Sequence, residues 1–534
     1  MMNDRTIIGL LEKVFTEFRD LPAFTCLGKT LTYADVDYLS KKFAAYLSHK
    51  THLQPGDRIA IQLPNLLQYP IAAYGALRAG LVIVNTNPLY TPVEVERQFR
   101  DAGVKALVAI SLAQEGAIAI AKKLGLEKVI IVDPIELHGY AGQLPTNTSV
   151  QAIEKSASFE AIKFIDALIV ADTVSEANSF TSHSVDATEE TLALLQYTGG
   201  TTGVAKGAML SHRNLVSNAD QAVRFSGAYF RTGAECYVAA LPMYHIYAFQ
   251  IHGLALPSRG GHSLLIPNPR DIAAVVAAIK PHRITGFPGI NTLFAALCAN
   301  AEFRQLDLTS LRSTSAGGMQ LTHEVAQQWR ELTGITIAEG YGLSETSPVV
   351  TANPPGSVQI GTVGKPLPDT EIKVIDAQGN SLPMGERGEL CVRGPQVMQG
   401  YWQKPEETAL VLSSDGWFRT GDIAVIQADG YVRIVDRLKD MIVVSGFNVY
   451  PNEVEAVARK HPSVKECAAI GVPDHHSGEA VKLFVVPNSV VFDEAELRTF
   501  MRTELTGYKV PSIFQLVDDL PKSNVGKILR KDLR

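Results

Sequence analysis

The first half of the chain alternates short apolar runs with helical patterns, and no other feature of the sequence limits the fold as strongly. RIAIQLP (58–64) reads as a strand, YPIAAYGALRAG (69–80) as a buried helix closed by Gly80, and LVIV (81–84) as the next strand. Thr91, Pro92 and Glu94 then supply an N-cap, a first-turn proline and a capping-box partner for a further helix. KALVAI (105–110) and KVIIVD (128–133) are expected to be strands. Such alternation predicts an α/β fold, a mostly parallel sheet with helices on its faces.

A second apolar α/β stretch begins near Leu192 and runs past residue 350. From about 358 to 435 short strands broken by Gly and Pro predict a small antiparallel subdomain. The remainder reads as a compact α+β domain, with strand patterns at MIVVSG, ECAAIGV, AVKLFVV and SIFQLV and helices at PNEVEAVARK and around 493–505. The polar region 436–440 is the natural joint, which gives an N-terminal domain over 1–436 and a C-terminal domain over 437–534. A length of 534 residues suits several packing units, at roughly 100–200 residues each. No internal repeat or low-complexity segment is visible.

Composition excludes several classes of function. With 49 basic against 55 acidic residues the net charge is −6, so there is no electrostatic reason to expect a nucleic-acid partner. The five cysteines, Cys26, Cys236, Cys298, Cys391 and Cys467, lie far apart. That pattern suits a reducing cytoplasm and indicates neither a disulfide framework nor a zinc site. Asp4, Glu12 and Lys13 rule out a signal peptide, and Ile7, Ile8, Leu11, Val14, Phe15 and Phe18 share one helical face instead. The charge-free stretches 59–77 and 236–258 carry prolines and polar residues that a bilayer span would not hold. A peripheral membrane contact, at the inner face of the cytoplasmic membrane, is compatible with the sequence.

The strongest local motif is YTGGTTGVAKG (197–207). Its Gly and Thr residues can turn amide and hydroxyl donors around phosphate oxygens, with Lys206 adding charge. It does not fit G-x-x-x-x-G-K-[ST], because Gly207 and Ala208 follow the lysine. By itself it also reads as a plain turn between strands. EGYGLSET (339–346) sets an aromatic ring, a carboxylate and close-approach glycines together, a set suited to a base and a divalent cation. DGWFRTGD (415–422) ends in a carboxylate suited to ribose hydroxyls, DRLKD (436–440) puts an arginine at the joint, and PKSNVGK (521–527) offers a lysine on an exposed loop. Singly, these read as a turn, a strand end, a solvated charge cluster and a surface lysine.

In this order and spacing the motifs resemble one family along nearly the whole chain, from LTYADVD (31–37) to Lys527. The chain is similar to adenylate-forming enzymes, the superfamily of acyl-CoA synthetases, luciferases and adenylation domains. DGWFRTGDIAVIQADGYVRIVDRLKD (415–440) resembles the fatty-acyl-CoA synthetase signature, and YTGGTTGVAKGAMLSHRN and VSGFNVYPNEVE resemble bacterial long-chain fatty acid–CoA ligases. The resemblance implies a large N-terminal domain of two α/β sheets and a small β subdomain, followed by a mobile C-terminal domain. It implies ATP, Mg²⁺ and CoA as co-reactants, a long-chain fatty acid as substrate, and an acyl-adenylate intermediate. It is also compatible with a homodimer.

Roles then carry over by residue. Thr198, Gly199, Gly200, Thr201, Thr202, Gly203 and Lys206 would cradle the β- and γ-phosphates. Glu345 would hold Mg²⁺, with Thr198 the weaker candidate. Gly317, Gly318, Gly340, Tyr341, Gly342 and Ser344 would frame the nucleotide, Asp422 would take the ribose hydroxyls and Arg437 would contact ribose or phosphate. His245 would line the carboxylate side, although a lone histidine on an apolar stretch also reads as core. Lys527 would bridge the two anionic reactants in the first step, Lys439 would be the hinge, and Gly446 would line the approach of the thiol.

This sequence departs from the wider family at Gly199, Ala205 and Ser344, none of which removes an essential donor. Tyr247, Phe249, Gly289 and Met319 are candidates for the acyl tunnel, with core packing the better reading of Phe249. Within the superfamily the alternatives are a medium-chain or aryl acid–CoA ligase and a fatty acyl-AMP ligase. A non-catalytic acyl or nucleotide sensor would be expected to lack Lys527 or Glu345, and both are present.

Overall fold

A computed structural model describes residues 5–145, 150, 152–156, 159–172, 187–198, 205–319, 321–445, 447–475, 477–488, 492–523 and 527–534. The predicted strand–helix alternation forms an eight-stranded sheet whose middle is parallel and whose two edge pairings are antiparallel. Its central strands Arg58–Gln62, Val82–Asn85 and Lys128–Val132 are buried along nearly their whole length. Near-continuous burial of this kind follows when helices cover both faces of a parallel sheet. All of helix Gln68–Arg78 is buried, and Pro70 is tolerated because it falls in the first turn. Helix Pro92–Ala102 starts as its sequence dictates: Thr91 and Glu94 close a reciprocal capping box, and Gly103 ends the helix with φ +62°.

The second sheet has nine strands, again parallel inside and antiparallel at the edges. One of its members comes from the N-terminus. Pro22–Cys26 runs parallel to His262–Leu265, with Phe24 opposite Ser263. The N-terminal helix Ile7–Glu17 is held by Arg78, whose fully buried guanidinium pairs with Glu12 and with Asp37 at 2.7 Å. The stretch 236–258 is not a continuous helix. It runs from strand Cys236–Ala239 into a π-helical segment, Phe249–Ala255, and a 3-10 turn, Pro257–Arg259. Among the described residues no helix is long and apolar enough to cross a membrane.

The expected antiparallel subdomain is a four-stranded sheet of Glu371–Ile375, Arg387–Arg393, Phe418–Ile426 and Val432–Arg437. One 3-10 turn, Leu438–Asp440, leads out of it. The chain then builds a separate five-stranded sheet around the hairpin Val464–Asp474 and Gly478–Pro487, backed by helices Pro451–Ala458 and Glu494–Glu504. Val454, Cys467, Leu483, Val485, Leu497 and Met501 form a core of its own.

Candidate functional site

Most of the candidate residues lie just beyond the carboxyl ends of parallel strands, where open α/β sheets place their ligands. Thr198 ends strand Leu192–Thr198, Gly317 and Gly318 follow Ser313–Ala316, and Gly340 to Gly342 close Ala338–Gly342. His245 lies on the segment that follows Cys236–Ala239. Asp422 and Arg437 are added by the four-stranded sheet, and Lys439 by the turn after it.

The phosphate motif spans a hairpin. Thr198 and Lys206 face each other in register across the antiparallel strands Leu192–Thr198 and Lys206–Ser211. Gly199, Gly200, Thr201, Thr202 and Gly203 lie outside the described residues, as does Gly446. The Lys206 ammonium pairs with Glu407 and stands 5.0 Å from the centroid of the Tyr401 ring. That pairing holds the Glu407 carboxyl below its ordinary range.

Glu345 lies on the 3-10 turn Ser344–Thr346, with Ser344 half-buried at its start. The Tyr401 hydroxyl donates to Glu345 Oε1 at 2.8 Å, and Met398 N–H donates to the Glu345 carbonyl at 2.8 Å. Burial pushes the Glu345 carboxyl above its ordinary value. Among the described residues no cationic side chain forms an ion pair with it. A buried carboxylate whose donors, the Tyr401 hydroxyl and its own backbone N–H, are both neutral is suited to a divalent cation.

Asp422 and Arg437 are direct partners across their antiparallel strands. Arg437 Nε lies 3.3 Å from Asp422 Oδ1, and the Tyr341 hydroxyl donates to Asp422 Oδ2 at 2.6 Å. The three side chains form one wall. Two of the glycines have local reasons to be glycine. A Cβ on Gly342 would lie 2.0 Å from the Pro348 carbonyl oxygen, and Gly318 adopts φ +81°. Gly340 backs onto Thr351 of the neighbouring strand, and Gly317 faces the Tyr247 ring.

His245 caps the short helix that follows it, its Nδ1 accepting from Tyr247 N–H at 3.3 Å. Burial pushes its pKa down to about 4, so the imidazole is neutral near pH 7. With Nδ1 accepting, the proton sits on Nε2. Tyr247 is tied to Ser315 through their hydroxyls at 3.1 Å. Phe249 packs edge-on against Tyr69, in the core, and the side of Gly289 that a Cβ would fill is occupied by Phe294. Met319 is half-buried beyond Gly318.

Lys527 belongs to the C-terminal domain, yet its electrostatic surroundings are Arg437, Asp422, Lys439 and Arg530. Burial, reinforced chiefly by the Arg437 charge, pushes the ammonium down to about 8. Its backbone is fixed by reciprocal bonds to Ser523, Lys527 N–H to Ser523 Oγ at 3.1 Å and Ser523 N–H to the Lys527 carbonyl at 2.7 Å. Burial also lowers Lys439. Sequence reasoning missed Tyr401 and Glu407, which touch Glu345 and Lys206. Their one sequence signal is the aromatic pair Tyr401-Trp402 ahead of the acidic PEE turn. A cavity of about 670 Å³ between the N-terminal helix and helix His212–Ser226 contains none of the candidates.

A model of the AMP-binding enzyme family matches residues 11–402, and one of the AMP-binding enzyme C-terminal domain matches 453–527. The chain is 46% identical to a long-chain-fatty-acid–CoA ligase of Escherichia coli, covering 99% of this chain and 94% of that protein. It is also 46% identical, over the same shares, to a long-chain-fatty-acid–CoA ligase of Salmonella typhimurium. Among solved structures, ATP-bound MatB from Rhodopseudomonas palustris superposes with a TM-score of 0.84 at 30% identity, over 99% of this chain and 98% of that one. The chain belongs to the AMP-binding enzyme family.

Proposed function

We propose that this protein is an AMP-forming long-chain fatty acid–CoA ligase. The observation that carries the reading is the meeting of two domains at one site. Lys527 of the C-terminal domain feels the charges of Arg437, Asp422 and Lys439, and Asp422 is bonded to Tyr341 at the end of strand Ala338–Gly342. The 46% identity to long-chain-fatty-acid–CoA ligases supplies the substrate class.

In the first step a carboxylate oxygen of the fatty acid attacks the α-phosphorus of ATP, and the bond to pyrophosphate breaks. Acyl-adenylate remains. Both reactants are anions, so the step needs cations placed beforehand. Lys527 and Arg437 supply two on one side, and Lys206 supplies another at the base of the phosphate hairpin. Asp422, held by Arg437 and Tyr341, presents its remaining lone pairs to the ribose hydroxyls. Tyr341 and the glycine backbone at 317–318 and 340–342 form the surface for the base. His245, neutral with its proton on Nε2, offers a donor to the substrate carboxylate.

Glu345 would hold Mg²⁺, with Thr198 beside the phosphates as a second oxygen donor. Among the described residues no cluster of three His, Cys, Asp or Glu side chains could hold a metal ion, so phosphate and water oxygens would complete the shell. When bound, the ion offsets the charge of the transferred phosphates.

In the second step the sulfur of CoA attacks the acyl carbonyl, the thiol proton is lost, and AMP leaves. Lys527 must withdraw to admit the thiol. The joint at Lys439 is placed to allow this, dividing the chain into 1–436 and 437–534. The segment carrying Gly446 then turns toward the acyl group. A peripheral membrane contact would deliver the apolar acid.

The test is to incubate the protein with ATP, Mg²⁺ and palmitate and then add CoA. Acyl-adenylate before CoA, converted to palmitoyl-CoA afterwards, is the expected result. Adenylate that CoA does not consume would overturn the ligase reading.

A further inference from the structure

A buried charge cluster lies at the joint, and the chemistry above makes no use of it. Its centre is Arg530, three residues beyond Lys527, with a side chain only 15% exposed. Its Nε and Nη2 donate to Glu455 Oε1 at 3.1 and 2.8 Å, and Nη2 also donates to Asn452 Oδ1 at 2.6 Å. Nη1 lies 3.5 Å from Asp440 Oδ2 and 3.8 Å from Asp436 Oδ1. Arg534 reaches the other Asp440 oxygen at 2.9 Å.

The contacts divide according to their position about the turn Leu438–Asp440. Glu455, Asn452, Arg530 and Arg534 all belong to the C-terminal domain and would move together. Asp436 belongs to the last strand of the four-stranded sheet, and its side chain is fully buried. Among the described residues, three contacts of this cluster cross the joint. Arg530 faces Asp436, Asn452 N–H donates to Asp436 Oδ2 at 2.7 Å, and Asn452 Nδ2 donates to the Val435 carbonyl at 3.2 Å. Rotation about Lys439 would break all three and leave the Asp436 carboxylate without its guanidinium. A buried charge that loses its partner is strongly disfavoured. Three residues of chain span at most about 10 Å, so fixing Arg530 also confines Lys527.

We propose that Arg530 is a positioning residue, which through Asp436 latches the C-terminal domain in the orientation where Lys527 faces the nucleotide. This rests on the ligase reading. The latch serves adenylation, which needs Lys527 in place. Thioester formation, for which Lys527 withdraws, does not need it.

The test uses the full-length protein and Arg530→Met, Arg530→Lys and Asp436→Asn. Asp436→Asn leaves the Arg530–Glu455 pair intact, so it keeps the test open if Arg530→Met folds poorly. Two half-reactions are measured separately: acid-dependent ATP–pyrophosphate exchange, and conversion of added acyl-adenylate and CoA to acyl-CoA. Arg530→Met and Asp436→Asn should each lower exchange about tenfold or more while acyl transfer stays within about twofold, the double variant should add little, and Arg530→Lys should recover most of the exchange. Equal loss in both half-reactions would mark a merely structural role and overturn the proposal, as would no loss in either. Trypsin provides a readout that needs no substrate. Cleavage after Arg437 or Lys439 should be several-fold faster in Asp436→Asn, and an unchanged rate would overturn the latch. Failure of the ligase reading would show differently, as a wild-type protein inactive in both half-reactions whose latch the cleavage rates still decide.

Discussion

Replacing Lys527 with Met removes the cation that the first step needs, and the structure sets the size of the effect. The ammonium is pushed from 10.5 to about 8 by burial and by Arg437. At about 1.4 kcal/mol per pH unit, that amounts to roughly 3 kcal/mol held against the charged form. Arrival of the triphosphate and the carboxylate relieves this penalty, so the lysine favours the state in which both anions are present. Losing one such donor costs about 10²–10³ in rate, or about 3–4 kcal/mol. Acid-dependent ATP–pyrophosphate exchange should fall by that factor in Lys527→Met. The pH dependence has a definite sign. Because the pKa lies below the ordinary lysine value, the charged form is complete only below about 8 and is lost above it. The kcat/KM for ATP, which reports the free enzyme, should therefore decline as pH rises through about 8. Lys527→Arg stays charged throughout, so its residual kcat/KM should be flat over the same interval. Exchange within about threefold of wild type in Lys527→Met, or a wild-type profile with no decline, would refute the assignment.

Other changes test separate parts of the account. Asp422→Asn, which weakens the charged acceptor for the ribose hydroxyls, should raise the KM for ATP about 10- to 100-fold, and an unchanged KM would remove the ribose role. Glu407→Gln frees Lys206 from its ion pair, so ATP should bind up to about fivefold more tightly in a titration; weaker binding would mean that Glu407 orients Lys206 rather than competing for it. Arg78→Met leaves Glu12 and Asp37 without their shared guanidinium. Those carboxylates keep 14% and 24% exposure, so the loss should be about 2–3 kcal/mol in a urea titration, below the roughly 3–5 expected for a fully buried pair. No change in the urea midpoint would show that Arg78 does not anchor the N-terminal helix.

What could be read in the sequence was local. Thr91, Pro92 and Glu94 specify the start of a helix by themselves, and the structure puts the capping box there. The runs at 58–64, 105–110 and 128–133 carry enough apolar residues to announce parallel strands, and each appears within a residue or two of its expected bounds. The pairing of Pro22–Cys26 with His262–Leu265 could not be read, because nothing in either segment specifies a partner more than 200 residues away. The same holds at the site. Lys527 alone looks like a surface lysine, and only the docking of its domain surrounds it with Arg437, Lys439 and Asp422. Tyr401 and Glu407 escaped notice because their importance lies in what they touch, Glu345 and Lys206. Arg530 escaped for the same reason, since its partners Asp436, Asp440 and Glu455 are spread over the joint and the helix after it.

The central claim is the substrate, and chain-length dependence tests it most directly. Acyl-CoA formation should be followed with saturated acids from acetate to stearate and with oleate, at saturating ATP and CoA. The kcat/KM should rise steeply beyond medium chains, with the long-chain acids the best substrates. A maximum at acetate, or at an aryl acid tested alongside, with negligible turnover of palmitate and oleate, would contradict it.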